Sequence, residues 1–345
     1  MKTKFQILIL VSSLLVLFFT PALADSHGAD DVGFSCVVLG AGGGPREDDI
    51  SGYMLWPAGL PGEAIFLDAG TLTAGIRKAD EMGNLWEFRV PPDSNLTREG
   101  WILRNAKAYL ITHAHLDHIA AMVINSPVDS SKQLFGIEPT IKDLKEHIFN
   151  WRVWPNFGDS GPGFALGVYK YITLTPGEEV PIANTSMTVE GHFLAHDLPY
   201  ETGGFLVQKN GYYVMFFGDT GPDEVQNTDH LLKVWERLAP LIRDGRLLGM
   251  FIEVAYPEGR PDNLLFGHFT PSWLMHEFQR LAGIVDPKNP EEALNDLTVV
   301  VTHIKPEFVM APSPFQLISE QLDTLNDLGI NFIYPRQGMR IEFRP

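Results

Sequence analysis

The segment Lys107-Ala108-Tyr109-Leu110-Ile111-Thr112, followed at once by His113-Ala114-His115-Leu116-Asp117-His118, constrains this chain more than any other stretch. The first part reads as a short buried strand, and Ile119 to Ile124 continues as a short apolar helix. Between them His113, His115, Asp117 and His118 crowd one loop. Residues two apart in an extended loop point the same way, so His113 and His115 share a direction. Asp117 and His118, at the start of the helix, are free to diverge from it. Ionisable groups this dense are costly to bury unless paired or bound to a metal. Imidazole nitrogens and carboxylate oxygens are good ligands for zinc and similar divalent ions. The fold must therefore end a strand at a loop that gathers cations, and the chemistry expected there is hydrolysis of an ester bond at two metals.

Such a site needs further ligands, and they are expected at later strand ends. Three residues stop apolar runs in the required way: His196 beside Asp197, Asp219 in Phe216-Phe217-Gly218-Asp219-Thr220-Gly221, and His303 in Val299-Val300-Val301-Thr302-His303. His192 competes with His196, because both would face the same side of one strand. The strand-end position favours His196, and His192 is read as a satisfied interior histidine.

Strands are expected at Phe34 to Leu39, Ala64 to Leu67, Lys107 to Thr112, Tyr171 to Leu174, Met187 to Leu194, Gly204 to Gln208, Tyr212 to Phe217, Met250 to Val254 and Leu297 to Thr302. Helices are expected over Ile141 to Trp151, Thr228 to Arg243, Pro271 to Leu281 and Pro314 to Leu328. Ser313 is placed to cap the last of these, and Thr270 with Pro271 to open the one before it. Leu231, Leu232, Trp235 and Leu238 give the helix at Thr228 to Arg243 one apolar face. Strands in both halves, each half followed by helices, predict an α/β chain with two packed sheets and helices outside, a four-layer sandwich in one domain. The glycines of Gly40-Ala41-Gly42-Gly43-Gly44-Pro45 read as a tight turn, since the Lys-Ser/Thr ending of a phosphate-binding loop is missing.

The first residues look like an export signal: Lys2 and Lys4, an apolar run from Ile7 to Phe19, and Ala22-Leu23-Ala24 at the cleavage position. The run is short for a bilayer, which takes roughly 20 residues. A leader removed after Ala24 and a domain over 25–345 are therefore expected, in a bacterial periplasm. Cys36 is the single cysteine, which excludes an intrachain disulfide, and its apolar neighbours predict a buried, inert thiol. The formal charge of −17 argues against tracking a nucleic-acid backbone, where a basic stripe is the expected footprint. It leaves room for a small anionic substrate, because divalent cations would dominate the local field.

The cluster, its strand and its helix resemble the metallo-β-lactamase superfamily. More narrowly, His113-Ala114-His115-Leu116-Asp117-His118-Ile119 with Met122-Val123-Ile124-Asn125-Ser126-Pro127 resembles the signature of class II cyclic-nucleotide phosphodiesterases, departing from it at Ala121. The resemblance extends to Gly43-Gly44-Pro45, Leu67-Asp68-Ala69-Gly70-Thr71, Phe217-Gly218-Asp219-Thr220-Gly221-Pro222, Leu265-Phe266-Gly267-His268-Phe269-Thr270-Pro271 and Thr302-His303-Ile304-Lys305-Pro306. It implies an αββα sandwich in which His113, His115 and His196 hold one metal and Asp117, His118 and His303 the other, with Asp219 between them. Asp68 would orient a ligand histidine. Glu253 would orient His268 and raise its pKa, so that His268 could protonate the leaving oxygen.

The resemblance also implies a substrate, a 3′,5′-cyclic nucleotide with cAMP first, cleaved to a 5′-monophosphate. Zinc is the default metal of so His-rich a set, with manganese or iron as alternatives. The expected partner is the small cyclic nucleotide, without nucleic acid and without a membrane in the mature form; self-association as a homodimer is compatible with this. Rival readings are another hydrolase of the same scaffold (an RNA phosphodiesterase, lactonase, thioesterase or β-lactamase) and a non-catalytic periplasmic metal-binding protein. Trp151, Trp154 and Phe157 could stack a purine, although ordinary aromatic packing is the simpler reading.

Overall fold

The computed structural model describes residues 32–345 apart from 198, 309 and 311. The expected leader therefore lies outside the described residues. Among them, no helix is long and apolar enough to cross a membrane.

Two seven-stranded sheets face each other. The first contains β1 (Phe34–Gly40), β2 (Gly52–Pro57), β3 (Ile65–Leu67), β4 (Ala108–Leu110), β5 (Lys132–Gly136) and β6 (Tyr169–Thr173), with the last strand of the chain, β14 (Arg340–Phe343), beside β1. The second runs from β7 (Glu179–Pro181) through β8 (Thr188–Ala195), β9 (Glu201–Lys209), β10 (Tyr212–Phe216), β11 (Leu247–Glu253) and β12 (Thr298–Thr302) to β13 (Asn331–Ile333). Helices α1 (Thr73–Glu81), α2 (Arg98–Asn105), α3 (Leu116–Asn125) and α4 (Glu138–Asp143) belong to the first half. Helices α5 (Asp223–Gln226), α6 (His230–Arg243), α7 (Pro271–Val285) and α8 (Pro314–Leu325) belong to the second.

The inner strands, such as β1 and β11, read as nearly continuous apolar runs because both of their faces are buried. In β1, Phe34, Cys36 and Val38 join the core between the sheets, while Val37 and Leu39 point the other way, into the core with Ile76, Ala79 and Ile102. In β10, Val214 and Phe216 meet the inter-sheet core, while Tyr213 and Met215 face Trp235 and Leu238 of α6. Three apolar layers between four layers of secondary structure bear out the expected αββα sandwich.

Several boundaries moved. The helix expected over Ile141 to Trp151 is α4 followed by a single wide turn, Leu144–Ile148. Asn150 ends it by accepting from the amides of Arg152 and Val153 at 2.9 Å each, a local bond that competes with helix. Ser313 caps α8 with a full capping box. Thr270 occupies the capping position of α7 but its side chain makes no capping bond.

The topology fixes where loops meet. β3 and β4 are parallel, and β10, β11 and β12 are parallel. β8 runs antiparallel to β9, which is antiparallel to β10, so β8 ends at the same edge as β10. Asp68, His113, His196, Asp219, Glu253 and His303 all stand at or just past the C-terminal ends of these strands, the usual place for a site in α/β sheets.

Candidate metal centre and active site

Backbone hydrogen bonding in the first half sets the imidazoles before any ion is considered. The backbone turns left-handed at Asp68 (φ 51°) immediately after β3. That turn aims a fully buried carboxylate at β4, where it accepts from the Thr112 amide at 2.9 Å and the Thr112 hydroxyl at 3.0 Å. Asp68 also accepts from His118 Nδ1 at 2.7 Å. His113 Nδ1 lies 3.0 Å from Thr112 Oγ1, so a chain from His113 through Thr112 to Asp68 places the His113 proton on Nδ1. His196 Nδ1 donates to the carbonyl of Gly267 at 3.1 Å. With each Nδ1 engaged, the Nε2 atoms of His113, His118 and His196 are left as acceptors, the form a metal requires.

Those atoms converge on Asp219. Its Oδ1 lies 3.3 Å from His118 Nε2, and its Oδ2 lies 3.1 Å from His303 Nε2, 3.9 Å from His113 Nε2 and 4.0 Å from His196 Nε2. His303, held at φ 57° just past β12, also reaches Asp117 Oδ2 at 3.2 Å. Potential ligand atoms fall within 4.8 Å of one another in His113, His115 and His196, and again in Asp117, His118 and His303. His113 Nε2, His118 Nε2 and His303 Nδ1 are buried with no hydrogen-bond partner among the described residues. Buried polar atoms without partners are rare, and here two of them face a carboxylate without aligning to it. That is the arrangement expected of groups that share a cation, and the residues present fit divalent metal ions.

The electrostatics of His113, His115 and His196 agree with this, and that of His118 departs from it. Burial pushes the imidazoles of His113, His115 and His196 below their ordinary range, which keeps them neutral and able to ligate. Burial also opposes charge on His118, but the carboxylates of Asp219 and Asp68 outweigh it and hold that imidazole well above its usual value. Asp219 is buried too, and His303 and His118 nevertheless keep it well below the ordinary carboxylate range.

Beside this cluster, His268 Nδ1 donates to Glu253 Oε1 at 2.6 Å, and Glu253 also accepts from the Thr220 amide at 3.0 Å. The orienting contact matches the expectation, but the pKa argument needs correction. Burial drives the His268 imidazole well below its normal range despite Asp219, and His303, His196 and Lys305 push the same way. Burial and then Asp219 raise Glu253. His268 Nε2 is engaged as well, accepting from Lys305 Nζ at 2.7 Å. Glu253 thus orients the imidazole without making it more basic, and the two ring nitrogens face Glu253 and Lys305. An open cavity of about 460 Å³ lies over the centre, with His115, Asp117, Tyr200, Phe266, His268 and Lys305 on its walls.

Residues 84–338 match the family described as cAMP phosphodiesterases class-II. The chain belongs to the class-II cAMP phosphodiesterase family. It is 38% identical over 330 residues to a 3′,5′-cyclic-nucleotide phosphodiesterase of Aliivibrio fischeri, covering 95% of this chain and 98% of that one. It is also 38% identical over 312 residues to a probable 3′,5′-cyclic-nucleotide phosphodiesterase of Yersinia pestis, covering 90% of each. In structure it resembles unliganded yeast PDE1, with a TM-score of 0.80 at 22% identity over 90% of this chain and 99% of that one. The metallo-β-lactamase-fold protein YhfI of Bacillus subtilis aligns with a TM-score of 0.56 at 15% identity, over 90% of this chain and 98% of that one.

Within this phosphodiesterase the structure brings together all of His113, His115, Asp117, His118, His196, Asp219, Glu253, His268 and His303. His192 lies apart, its Nε2 3.3 Å from Glu190 Oε1 but aligned with no acceptor, so it is interior without being fully satisfied. Trp151, Trp154 and Phe157 do not line the cavity; Phe157 is buried, and Trp154 donates to Ser126 Oγ. The glycine run does more than turn. A Cβ on Gly43 would sit 2.4 Å from the His303 ring, and the Gly44 amide donates to Asp117 Oδ2 at 2.9 Å. Sequence reasoning missed Lys305 and Tyr200. Tyr200 lies flat against His115, with ring centroids 4.9 Å apart and planes 4° apart.

Proposed function

We propose that the protein hydrolyses 3′,5′-cyclic nucleotides, cAMP first, to 5′-monophosphates, as an exported periplasmic enzyme loaded with two divalent cations, zinc before manganese or iron. The observation that carries this reading is the Lys305–His268–Glu253 array abutting the His/Asp cluster, since hydrolysis of a diester needs both an electrophilic centre and a proton for the leaving oxygen. In it, His113, His115 and His196 hold one cation, Asp117, His118 and His303 the other, and Asp219 faces both sets. Cations held there supply charge to the phosphate oxygens and make a bound water acidic enough to attack.

The chain's own residues do the rest. Asp68 and the Gly267 carbonyl fix the ligand imidazoles in one tautomer, so little reorganisation is left for the reaction itself. Glu253 fixes the orientation of the His268 ring at the cavity wall. Lys305 and His268 share the proton that the departing 3′-oxygen takes up.

The test is turnover by metal-analysed protein of cAMP, cGMP, bis-p-nitrophenyl phosphate and a chromogenic β-lactam, with the nucleotide product identified. Release of 5′-AMP from cAMP is expected; turnover of the lactam alone would overturn the proposal. Sequencing the N-terminus of protein recovered from a periplasmic extract tests the leader, with Asp25 expected as the first residue.

A further inference from the structure

Phe266 is the least explained residue of the cavity. Its backbone is left-handed (φ 51°), a conformation that a bulky side chain rarely adopts. The residue is 51% exposed, whereas Leu265 before it and Phe269 three residues on are fully buried. It belongs to none of the three apolar cores.

The turn cannot relax to relieve it. Gly267 follows at φ 74°, and a Cβ there would meet the Asp197 amide nitrogen at 2.3 Å and the His196 carbonyl carbon at 2.7 Å. The Gly267 carbonyl holds His196 Nδ1, and His268 comes next. The site therefore dictates the backbone, and a residue tolerant of this φ, such as Gly or Asn, would fit it at lower cost. The chain instead places an exposed aromatic ring on a cavity wall built besides of imidazoles, carboxylates, Lys305 and Tyr200. Tyr200, also aromatic, already has one face against His115.

We infer that Phe266 is a stacking platform for the nucleobase of the substrate, an inference that rests on the cyclic-nucleotide reading above. With the phosphate over the cations and the ester oxygen at His268 and Lys305, the ribose would carry the base outward along the wall that includes Phe266. A phenyl ring offers a π-face and no hydrogen-bond donor or acceptor. Stacking of this kind is tolerant of base identity, so cAMP and cGMP should have similar KM values.

The test uses the metal-loaded full chain with 5′-AMP and ribose 5-phosphate as competitive inhibitors of cAMP hydrolysis, in wild type, Phe266→Leu and Phe266→Trp. The leucine keeps apolar volume and loses the π-face. In Phe266→Leu the inhibition constant of 5′-AMP should rise roughly ten-fold or more, the loss expected for one stacked base, while that of ribose 5-phosphate stays put. Phe266→Trp should hold 5′-AMP at least as well as wild type. Unchanged 5′-AMP inhibition in Phe266→Leu would overturn the platform, and so would a parallel rise for both inhibitors, which would mean that the ring acts only through the His196–His268 turn. Wild-type protein that turns over no cyclic nucleotide would instead remove the parent reading, and this one with it.

Discussion

Asp219 is the side chain on which the centre closes, because it approaches His113, His118, His196 and His303. Removing it leaves four imidazoles without the carboxylate they face, and would leave the proposed cations without the anion that faces both ligand sets. Asp219→Ala should abolish cAMP hydrolysis by orders of magnitude and lower the bound metal measured by elemental analysis. His268 stands differently, since its two nitrogens are committed to Glu253 and Lys305. His268→Ala should cost on the order of 10²–10⁴ in kcat, the usual worth of a positioned acid or base, with metal content unchanged. Equal metal loss in both variants would make His268 a ligand. These roles were partly legible in the chain itself, because His, Asp and Glu at the ends of apolar runs stand out against their surroundings. Lys305 was not, since one lysine after a strand looks like any solvated lysine until His268 is seen 2.7 Å away.

At the scale of elements, the segment after β10 does two separate jobs. Asp219 turns into the site, while Asp223 is buried under α6, whose own capping residue, Asp229, makes no side-chain capping bond. Asp223 accepts from the Leu231 and Leu232 amides at 3.0 and 2.9 Å and from the Thr228 hydroxyl at 2.9 Å. Its own amide donates to the buried Glu277 of α7 at 3.3 Å. Asp223→Ala would leave first-turn amides of α6 buried and unpaired, a loss of about 1–3 kcal/mol. Thermal unfolding should therefore begin several degrees lower, while metal content and kcat of the folded enzyme stay near wild type. A variant that loses metal in proportion to Asp219→Ala would contradict this division of labour. Several strands buried on both faces announced themselves as apolar runs, but β2, β5 and β14 did not. In β5, Lys132 and Gln133 open the strand and leave only a short apolar run, yet the Lys132 ammonium is buried, donating to Asp129 and to the Leu103 carbonyl at 2.6 Å each. In β14, Arg340 and Glu342 alternate with Ile341 and Phe343, a pattern too short to separate from a loop until pairing with β1 is known.

Across the whole molecule, the site depends on two sheets staying in contact, since His113, His115, Asp117 and His118 come from one and His196, Asp219, Glu253, His268 and His303 from the other. The contact between the sheets is the apolar layer that contains Phe34, Tyr53, Leu67, Phe205, Phe216, Phe251, Val300 and Cys36. Cys36 is fully buried there, and burial, with Glu342 adding, holds its thiol far above the ordinary range. It sits in β1 between β2 and β14, so no fraying of a single outer helix uncovers it. Only the thiolate reacts with disulfide reagents, and a residue fully buried in the inter-sheet layer is uncovered only by the larger openings of a protein. A disulfide reagent added to the native protein at neutral pH should therefore titrate no thiol on the time scale in which it titrates one per chain in denaturant. The slow labelling that remains should follow the same denaturant dependence as loss of activity, because separating the sheets parts the two ligand sets at the same moment. Rapid native labelling of Cys36 would mean that the layer between the sheets opens while the metal centre is still assembled.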